Sequence, residues 1–249
     1  MSGIPTQRVF DKLDEYFSRN DYDGAERHLL YWVQEAEAIR DARSQLAFWN
    51  ELAGLYRKVG KEAEALRAVE RLLALVERMG IDEDVGAGTT YINCATVYKA
   101  FGRAAEAVPL FEHAKRVYEA ALPRGDKRFG GLYNNMALAL VDLRRFEEAY
   151  AFYDKAIAVM QAAEDGDLEV AITYLNVASA KDAEHGAVES EAVVEDCLEK
   201  ARRLLDGHTD KNGYYAFVCE KCAPTFGYYG HFMYEKELMM RAREIYERA

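Results

Sequence analysis

Two stretches of the chain, 91–114 (YINCATVYKAFGRAAEAVPLFEHA) and 133–156 (YNNMALALVDLRRFEEAYAFYDKA), carry the same pattern and decide the fold. The second stretch repeats the first in register. Tyr133, for example, follows Tyr91 by 42 residues (133 − 91). A fixed period in this range is typical of stacked supersecondary units, so the chain is expected to be a repeat protein.

Each stretch has the internal spacing of two helices. Aromatic and small residues recur at intervals of three and four, stop at Gly102 or Arg144, and begin again at Ala107 or Ala149. This spacing predicts two amphipathic helices joined by a short turn. The alanines stand where the two helices would cross, and small side chains there allow the helix axes to approach closely.

Looser copies of the pattern lie on both sides of these two stretches. The copies predict about six helical hairpins, and therefore an all-α fold. The expected repeats are, in chain order, 6–39, 46–79, 88–121, 130–163, 171–206 and 212–249.

The repeat resembles a known family. An aromatic residue, a large apolar residue three positions later, a small residue and a tyrosine follow one another as Tyr91, Cys94, Ala95 and Tyr98. This order resembles the tetratricopeptide repeat. The resemblance implies a right-handed α-solenoid of antiparallel hairpins, a TPR-like superhelix, which we expect to form a single domain over residues 1–249.

The period of 42 residues is longer than the usual 34 of these repeats. The additional residues fall after the second helix of a pair, in 81–87, 123–127 and 163–168. In this respect the chain resembles the repeats of kinesin light chains, in which proline often follows the small residue of the second helix, as in Ala107–Pro109. We expect Pro109 in the first helical turn, where a missing N–H is tolerated. No stretch resembles the heptad region of a light chain, so motor association is not implied.

The charge balance excludes two classes of partner. The net charge is −11, and neither a nucleic acid nor an anionic membrane is a suitable main partner for so acidic a chain. No apolar run approaches the length needed to span a membrane. The first ten residues, MSGIPTQRVF, lack the layout of a signal peptide, so a cytoplasmic location is expected.

Chemical motifs are nearly absent from the sequence. Cys219 and Cys222 form a C-x-x-C, which suits either half of a zinc or redox site or two small apolar residues on a buried helix face. The second interpretation is favoured, because the sequence has no further cysteine pair or H-x-x-x-H to complete a zinc site. Phosphate-binding, dinucleotide-binding and hydrolase motifs are also missing. The sequence therefore predicts neither an enzyme nor a bound metal or cofactor.

Asparagine recurs on the side of the first helices that packing does not use, which would line the concave groove of the superhelix. Asn93, Asn135 and Asn176 hold the same place in three successive repeats, and Asn50 and Asn134 lie one residue earlier in theirs. Asparagine is a poor helix former compared with alanine. Its repeated use in the middle of a helix therefore indicates a role.

Two roles for these asparagines remain open. In the first, the amide bonds a neighbouring helix or is simply inherited through duplication of the repeat. In the second, the amides form a row that pairs with the backbone of an extended peptide. Such a row resembles the asparagine ladder in the repeats of O-linked N-acetylglucosamine transferase and the groove sites of kinesin light chains.

The charges along the first helices also differ between the two halves of the chain. Arg57, Lys58 and Lys99 stand at the ends of first helices in the second and third repeats, whereas Asp142 and Asp182 hold equivalent places in the fourth and fifth. The groove is therefore expected to be polarised, with acidic groups of a ligand toward Arg57.

The sequence predicts a scaffold or adaptor that binds a protein or an extended peptide in its groove. One alternative is a self-associating module that forms a homodimer, and another is a regulatory subunit that senses a short signalling peptide. Pro224 is expected to kink or split the first helix of the last repeat. Aromatic residues of that repeat are expected to be mostly core, the alternative being a contact patch. These aromatic residues are Tyr214, Tyr215, Phe217, Phe226, Tyr228, Tyr229 and Phe232.

Overall fold

A computed structural model describes residues 3–248, and in that range it contains twelve α-helices and no β-strand. No helix in this range combines the length and the apolar character needed to cross a membrane. The helices are α1 (Thr6–Ser18), α2 (Tyr22–Ala38), α3 (Ala42–Val59), α4 (Glu62–Met79), α5 (Val85–Ala100), α6 (Ala104–Ala121), α7 (Arg128–Asp142), α8 (Phe146–Gln161), α9 (Asp167–His185), α10 (Ala187–Gly207), α11 (Gly213–Tyr228) and α12 (Phe232–Tyr246).

The helices pack in consecutive pairs, which makes six hairpins, and the fold class is an all-α helical-repeat solenoid. The contacts group the chain into two compact units, Met1–Leu122 and Pro123–Ala249. The N-terminal unit holds the hairpins from α1 to α6, and the C-terminal unit holds those from α7 to α12. The single continuous domain over residues 1–249 stays a prediction.

The first helices of the second to fifth hairpins begin two to four residues earlier than the expected repeats. α3, for example, begins at Ala42 and not at residue 46. The Asp41 side chain accepts a hydrogen bond from the backbone N–H of Ser44 at 3.1 Å, which satisfies a donor that the first turn would otherwise leave unpaired. Polar capping residues thus extend these helices beyond the apolar pattern.

The turns within the hairpins need residues in the left-handed region. Gly60 and Gly102 both have a φ of +73°, which glycine adopts at little cost. Arg144 holds the place of Gly102 in the next repeat (144 − 102 = 42) and has a φ of +58°. A side chain in this conformation costs about 1–2 kcal/mol, so the fourth hairpin turns at a strained residue.

Two glycines allow close packing within the third and fourth hairpins. A Cβ atom on Gly88 would lie 2.7 Å from the Tyr118 ring, and one on Gly130 would lie 2.3 Å from Sδ of Met160. Both glycines and both large residues are separated by one period of 42 (130 − 88 and 160 − 118). The large side chain of each second helix therefore packs directly on the backbone of its first helix.

Both expectations about proline need correction. α6 begins at Ala104, so Pro109 lies in the second helical turn and not in the first. Pro224 lies inside α11, but the helix continues without interruption from Gly213 to Tyr228, so the predicted split is wrong. One proline removes a single backbone hydrogen bond, and the contacts of α11 with α9 and α12 are sufficient to keep the helix continuous.

The prediction that most C-terminal aromatic residues are core is also wrong. Tyr215 and Phe226 are buried and Tyr229 is half-buried, but the other four are exposed. The helical spacing was interpreted as a buried stripe, although these side chains point to both sides of the hairpin. The exposed residues are Tyr214, Phe217, Tyr228 and Phe232.

Cys219 and Cys222 lie in the apolar core of the C-terminal unit, where both are buried. Burial raises the pKa of the Cys222 thiol to about 12 and also raises the pKa of Cys219. Thiols in this environment stay protonated near neutral pH and behave as small apolar side chains. The structure thus supports the interpretation of the C-x-x-C as core packing.

Candidate functional site

In the N-terminal unit, two of the predicted asparagines bond to each other. α3 packs against α5, and Nδ2 of Asn93 donates a hydrogen bond to Oδ1 of Asn50 at 2.9 Å. Nδ2 of Asn50 in turn donates to the backbone oxygen of Leu46 at 2.8 Å and to Oγ1 of Thr90 at 3.2 Å. Both N–H groups of Asn50 are therefore used within the protein, and this residue ties α3 to α5.

Asn93 is less fully occupied than Asn50. Its amide spends one of two N–H groups on Asn50, and within residues 3–248 its oxygen Oδ1 has no hydrogen-bond partner. The side chain is half-buried. One donor and one acceptor of Asn93 thus remain available to a ligand lying across α3 and α5.

Three cationic side chains end the first helices of the N-terminal unit. Arg57 and Lys58 lie in the last turn of α3, and Lys99 lies in the last turn of α5. Arg57 is exposed, and Nζ of Lys58 lies 5.0 Å from the centre of the Tyr22 ring. This end of the surface is therefore positively charged in a chain whose net charge is −11.

The same kind of amide pair occurs in the C-terminal unit. Nδ2 of Asn176 on α9 donates to Oδ1 of Asn134 on α7 at 2.9 Å. Asn135 makes no such bond, since its Nδ2 donates to the backbone oxygen of Gly131 in its own helix at 2.9 Å. The amide pairs therefore join the earlier asparagine place of one repeat to the later place of the next.

A shallow pocket of about 530 Å³ lies between α9 and α11. Ser179, Asp182 and Ala183 line it from α9, and Tyr228 and Tyr229 complete it at the C-terminal end of α11. The Tyr229 hydroxyl donates to Oδ2 of Asp182 at 3.3 Å. The two tyrosine rings stand nearly perpendicular, at 86°, with their centres 4.9 Å apart. Sequence reasoning singled out Asp182 but missed these aromatic neighbours, which come from the next hairpin.

The chemistry of this pocket suits a cation. Burial raises the pKa of Tyr229 to about 12, so its phenol is neutral at physiological pH. Tyr228 is 76% exposed, and its ring is therefore accessible to a ligand. Aromatic rings beside a carboxylate attract ammonium and guanidinium groups through cation–π and ionic interactions.

A second pocket, of about 500 Å³, lies where α7, α9 and α11 begin. Its lining includes Lys127, Glu169 and Tyr214, and the Tyr214 hydroxyl donates to Glu169. Nearby, Nδ1 of His208 lies 2.7 Å from Oδ2 of Asp167. Both signs of charge line this pocket, so it indicates no single class of ligand.

Within the described part of the chain, one cluster has the side chains and spacing of a metal site. Ligand atoms of Asp82, Glu83 and His113 lie within 4.8 Å of one another. The Tyr91 hydroxyl already donates to Asp82, and the Arg116 guanidinium lies 3.1 Å from Nδ1 of His113. The protein itself thus satisfies these groups, and the cluster ties the loop after α4 to α5 and α6.

Comparisons with known proteins agree with this architecture. Two family models, both described as tetratricopeptide repeat, match residues 44–120 and 131–164. No curated protein matches the chain in sequence. BtubC (BKLC) from P. vanneervenii is 19% identical, with a TM-score of 0.69, and the match covers 82% of each chain.

Two further solved structures have the same kind of fold. A putative kinesin light chain from Podosopora anserina, with nearly identical TPR-like repeats, is 19% identical over 81% of this chain and 94% of that chain, with a TM-score of 0.55. The apo form of the quorum sensor NprR from B. thuringiensis is 13% identical over 96% of this chain and 64% of that chain, with a TM-score of 0.56.

Repeats of this family generally mediate protein or peptide binding, and scaffolds built from them are generally not enzymes. The two family models and the light-chain-like neighbours agree with the period of 42 residues and the six hairpins. The chain is a tetratricopeptide repeat protein whose repeats are of the kinesin light chain type.

Proposed function

We propose that the protein is an adaptor that binds an extended peptide segment on the exposed sides of its first helices. The observation that carries this proposal is the set of amide groups with unused hydrogen-bonding capacity. Asn93, Asn135 and Asn176 each keep an oxygen acceptor and one N–H after their contacts within residues 3–248 are counted. Amides of this kind can pair with the N–H and C=O groups of an extended backbone without selecting its side chains.

Charge provides the selectivity that the amides lack. The surface of the N-terminal unit carries Arg57, Lys58 and Lys99, so it favours acidic groups on the ligand. The pocket of the C-terminal unit, with Asp182 beside Tyr228, favours a basic group. We therefore propose a ligand that carries an acidic residue or a free carboxylate and also a lysine or arginine.

The test begins with a ligand selected from a displayed library of random peptides against the purified chain. Calorimetry then compares the wild type with the Asn93→Ala, Asn135→Ala double variant. Each lost hydrogen bond is worth about 0.5–1.5 kcal/mol, so the pair is expected to weaken every selected peptide by roughly tenfold or more. Arg57→Ala combined with Lys99→Ala should instead weaken acidic peptides selectively and reduce the salt dependence of their binding.

The matched control is Gln34→Ala, which removes an exposed amide from α2, a second helix of the same unit. It should leave the affinity unchanged. Equal affinities for the wild type and the asparagine double variant, with circular dichroism showing an intact fold, would contradict binding through the amides.

A shorter ligand is the second candidate, because the fold is also similar to that of the quorum sensor NprR over 96% of this chain. In this version the protein senses a short signalling peptide. Truncation of a selected peptide from both ends separates the two versions. A sensor should retain full affinity for a core of a few residues, whereas an adaptor for an extended segment should lose affinity steadily with each residue removed.

A further inference from the structure

One place in the second helices is buried in the first five hairpins and exposed in the sixth. Its occupant in the last hairpin is Met239, which is 43% exposed. The equivalent residues in the earlier hairpins are all buried, and successive members lie 40, 42, 42, 45 and 41 residues apart. They are Leu29, Val69, Phe111, Tyr153 and Leu198.

A second place, seven residues later in each helix, behaves in the same way. Tyr246 occupies it in the last hairpin and is 47% exposed. Its five equivalents are buried, namely Ala36, Val76, Tyr118, Met160 and Leu205. Phe232, seven residues before Met239, is 62% exposed, whereas its equivalent Phe146 is buried (232 − 146 = 86, two repeats). We call Phe232, Met239 and Tyr246 the C-terminal face.

The cause of the exposure is the position of the hairpin in the series. In the fourth hairpin, α8 packs against α9 of the following hairpin, and its residues at these places are buried. The hairpin of α11 and α12 has no following hairpin among residues 3–248. The C-terminal face therefore keeps the apolar side chains of an internal contact but lacks the contact.

The first hairpin is built differently. α3 buries Phe48, Leu52 and Leu55 against the preceding hairpin, but forty residues earlier the same places on α1 are Arg8, Lys12 and Glu15. Lys12 and Glu15 form an ion pair at 2.6 Å. A charged surface of this kind is typical of a terminal repeat that caps a stack. Stacking of one copy's first hairpin on another copy's last hairpin would bury these charges, which is costly.

We infer that two copies of the chain associate through their C-terminal faces. The apolar surface that suits this face is another copy of the same face, because the charged α1 does not suit it. A contact between identical faces is isologous, so two copies close the assembly, and no further copy can be added at the same surface. The inference is independent of peptide binding, since no residue of the C-terminal face belongs to the amide or charged surfaces.

Sedimentation equilibrium of the chain, from low to high micromolar concentration, provides the test. We expect a reversible dimer of twice the 28.3 kDa of the single chain. Met239→Glu should increase its dissociation constant roughly tenfold or more, because a carboxylate would be buried at the contact. Tyr246→Glu should do the same.

Val188→Glu is the matched control, because Val188 is 82% exposed on α10 and lies outside the face. It should leave the dissociation constant unchanged, as should the Asn93→Ala, Asn135→Ala double variant. Circular dichroism must show equal helix content in every variant. A wild type that stays monomeric over the whole range, or a dimer that persists in both Met239→Glu and Tyr246→Glu, would overturn the inference.

Discussion

Two asparagines at the same repeat place are expected to affect stability in opposite directions. Asn93→Ala removes the 2.9 Å bond to Asn50, worth about 1 kcal/mol, and leaves a half-buried amide oxygen without its donor. Alanine regains about 0.5 kcal/mol of helix propensity. The net effect should be a loss of about 0.5 kcal/mol.

The corresponding change in the next repeat has no such cost. Asn135 bonds only to the backbone oxygen of Gly131, four residues earlier in its own helix, and a side-chain bond of this type adds nothing to helix stability. Asn135→Ala should therefore stabilise the protein by about 0.5 kcal/mol. The two variants should differ by about 1 kcal/mol.

Urea denaturation followed by far-ultraviolet circular dichroism measures this difference. A double-mutant cycle with Asn50→Ala and Asn93→Ala isolates the bond and should give a coupling of about 1 kcal/mol. If Asn93→Ala proved as stabilising as Asn135→Ala, or if the coupling were zero, the amide pair would contribute nothing to the contact of α3 with α5. The reasoning about which asparagines are structural would then fail.

Three further outcomes are expected. Cys222 should resist iodoacetamide in the folded protein and react only after unfolding, because burial raises its thiol pKa to about 12; rapid labelling under native conditions, detected by mass spectrometry, would contradict this. Burial, with a smaller effect of Asp14, raises the pKa of Glu51, so the folded state holds this proton more tightly and the carboxyl costs stability as pH rises above about 4. Glu51→Gln should therefore stabilise the protein at neutral pH but not at pH 4 or below, whereas the exposed Glu70→Gln should be neutral throughout. Arg144→Gly should raise the unfolding free energy by up to about 1 kcal/mol, since a φ of +58° is strained for arginine; an unchanged denaturation midpoint would argue against strain at this turn.

The hairpins could be predicted because a period of 42 residues repeats both the apolar spacing and the turns. The amide pairs could not be predicted in the same way. Counting by the period aligns Asn93 with Asn135, but stacking brings Asn50 to Asn93 and Asn134 to Asn176, at offsets of 43 and 42 (93 − 50 and 176 − 134). Neighbours in space are therefore not the residues that the period aligns.

The exposure of the C-terminal face had a different cause. Met239 and Tyr246 hold places that are apolar in every repeat, and the sequence pattern does not reveal whether another hairpin covers them. A helix face is buried by its neighbour and not by its own composition. The aromatic neighbours of Asp182 were missed for a related reason, because they belong to the following hairpin.

The contact of Gly88 with Tyr118 restricts how these repeats can diverge. The second hairpin holds Leu46 and Val76 at the same two places, so it carries more bulk on the first helix and less on the second (88 − 42 and 118 − 42). A lineage can pass from one solution to the other only by trimming the large side chain before filling the glycine, since a Cβ atom at Gly88 would lie 2.7 Å from the Tyr118 ring. The order of the two substitutions is thereby fixed, and a gene conversion that copied only one helix of a hairpin would produce a chain with a clash or a void.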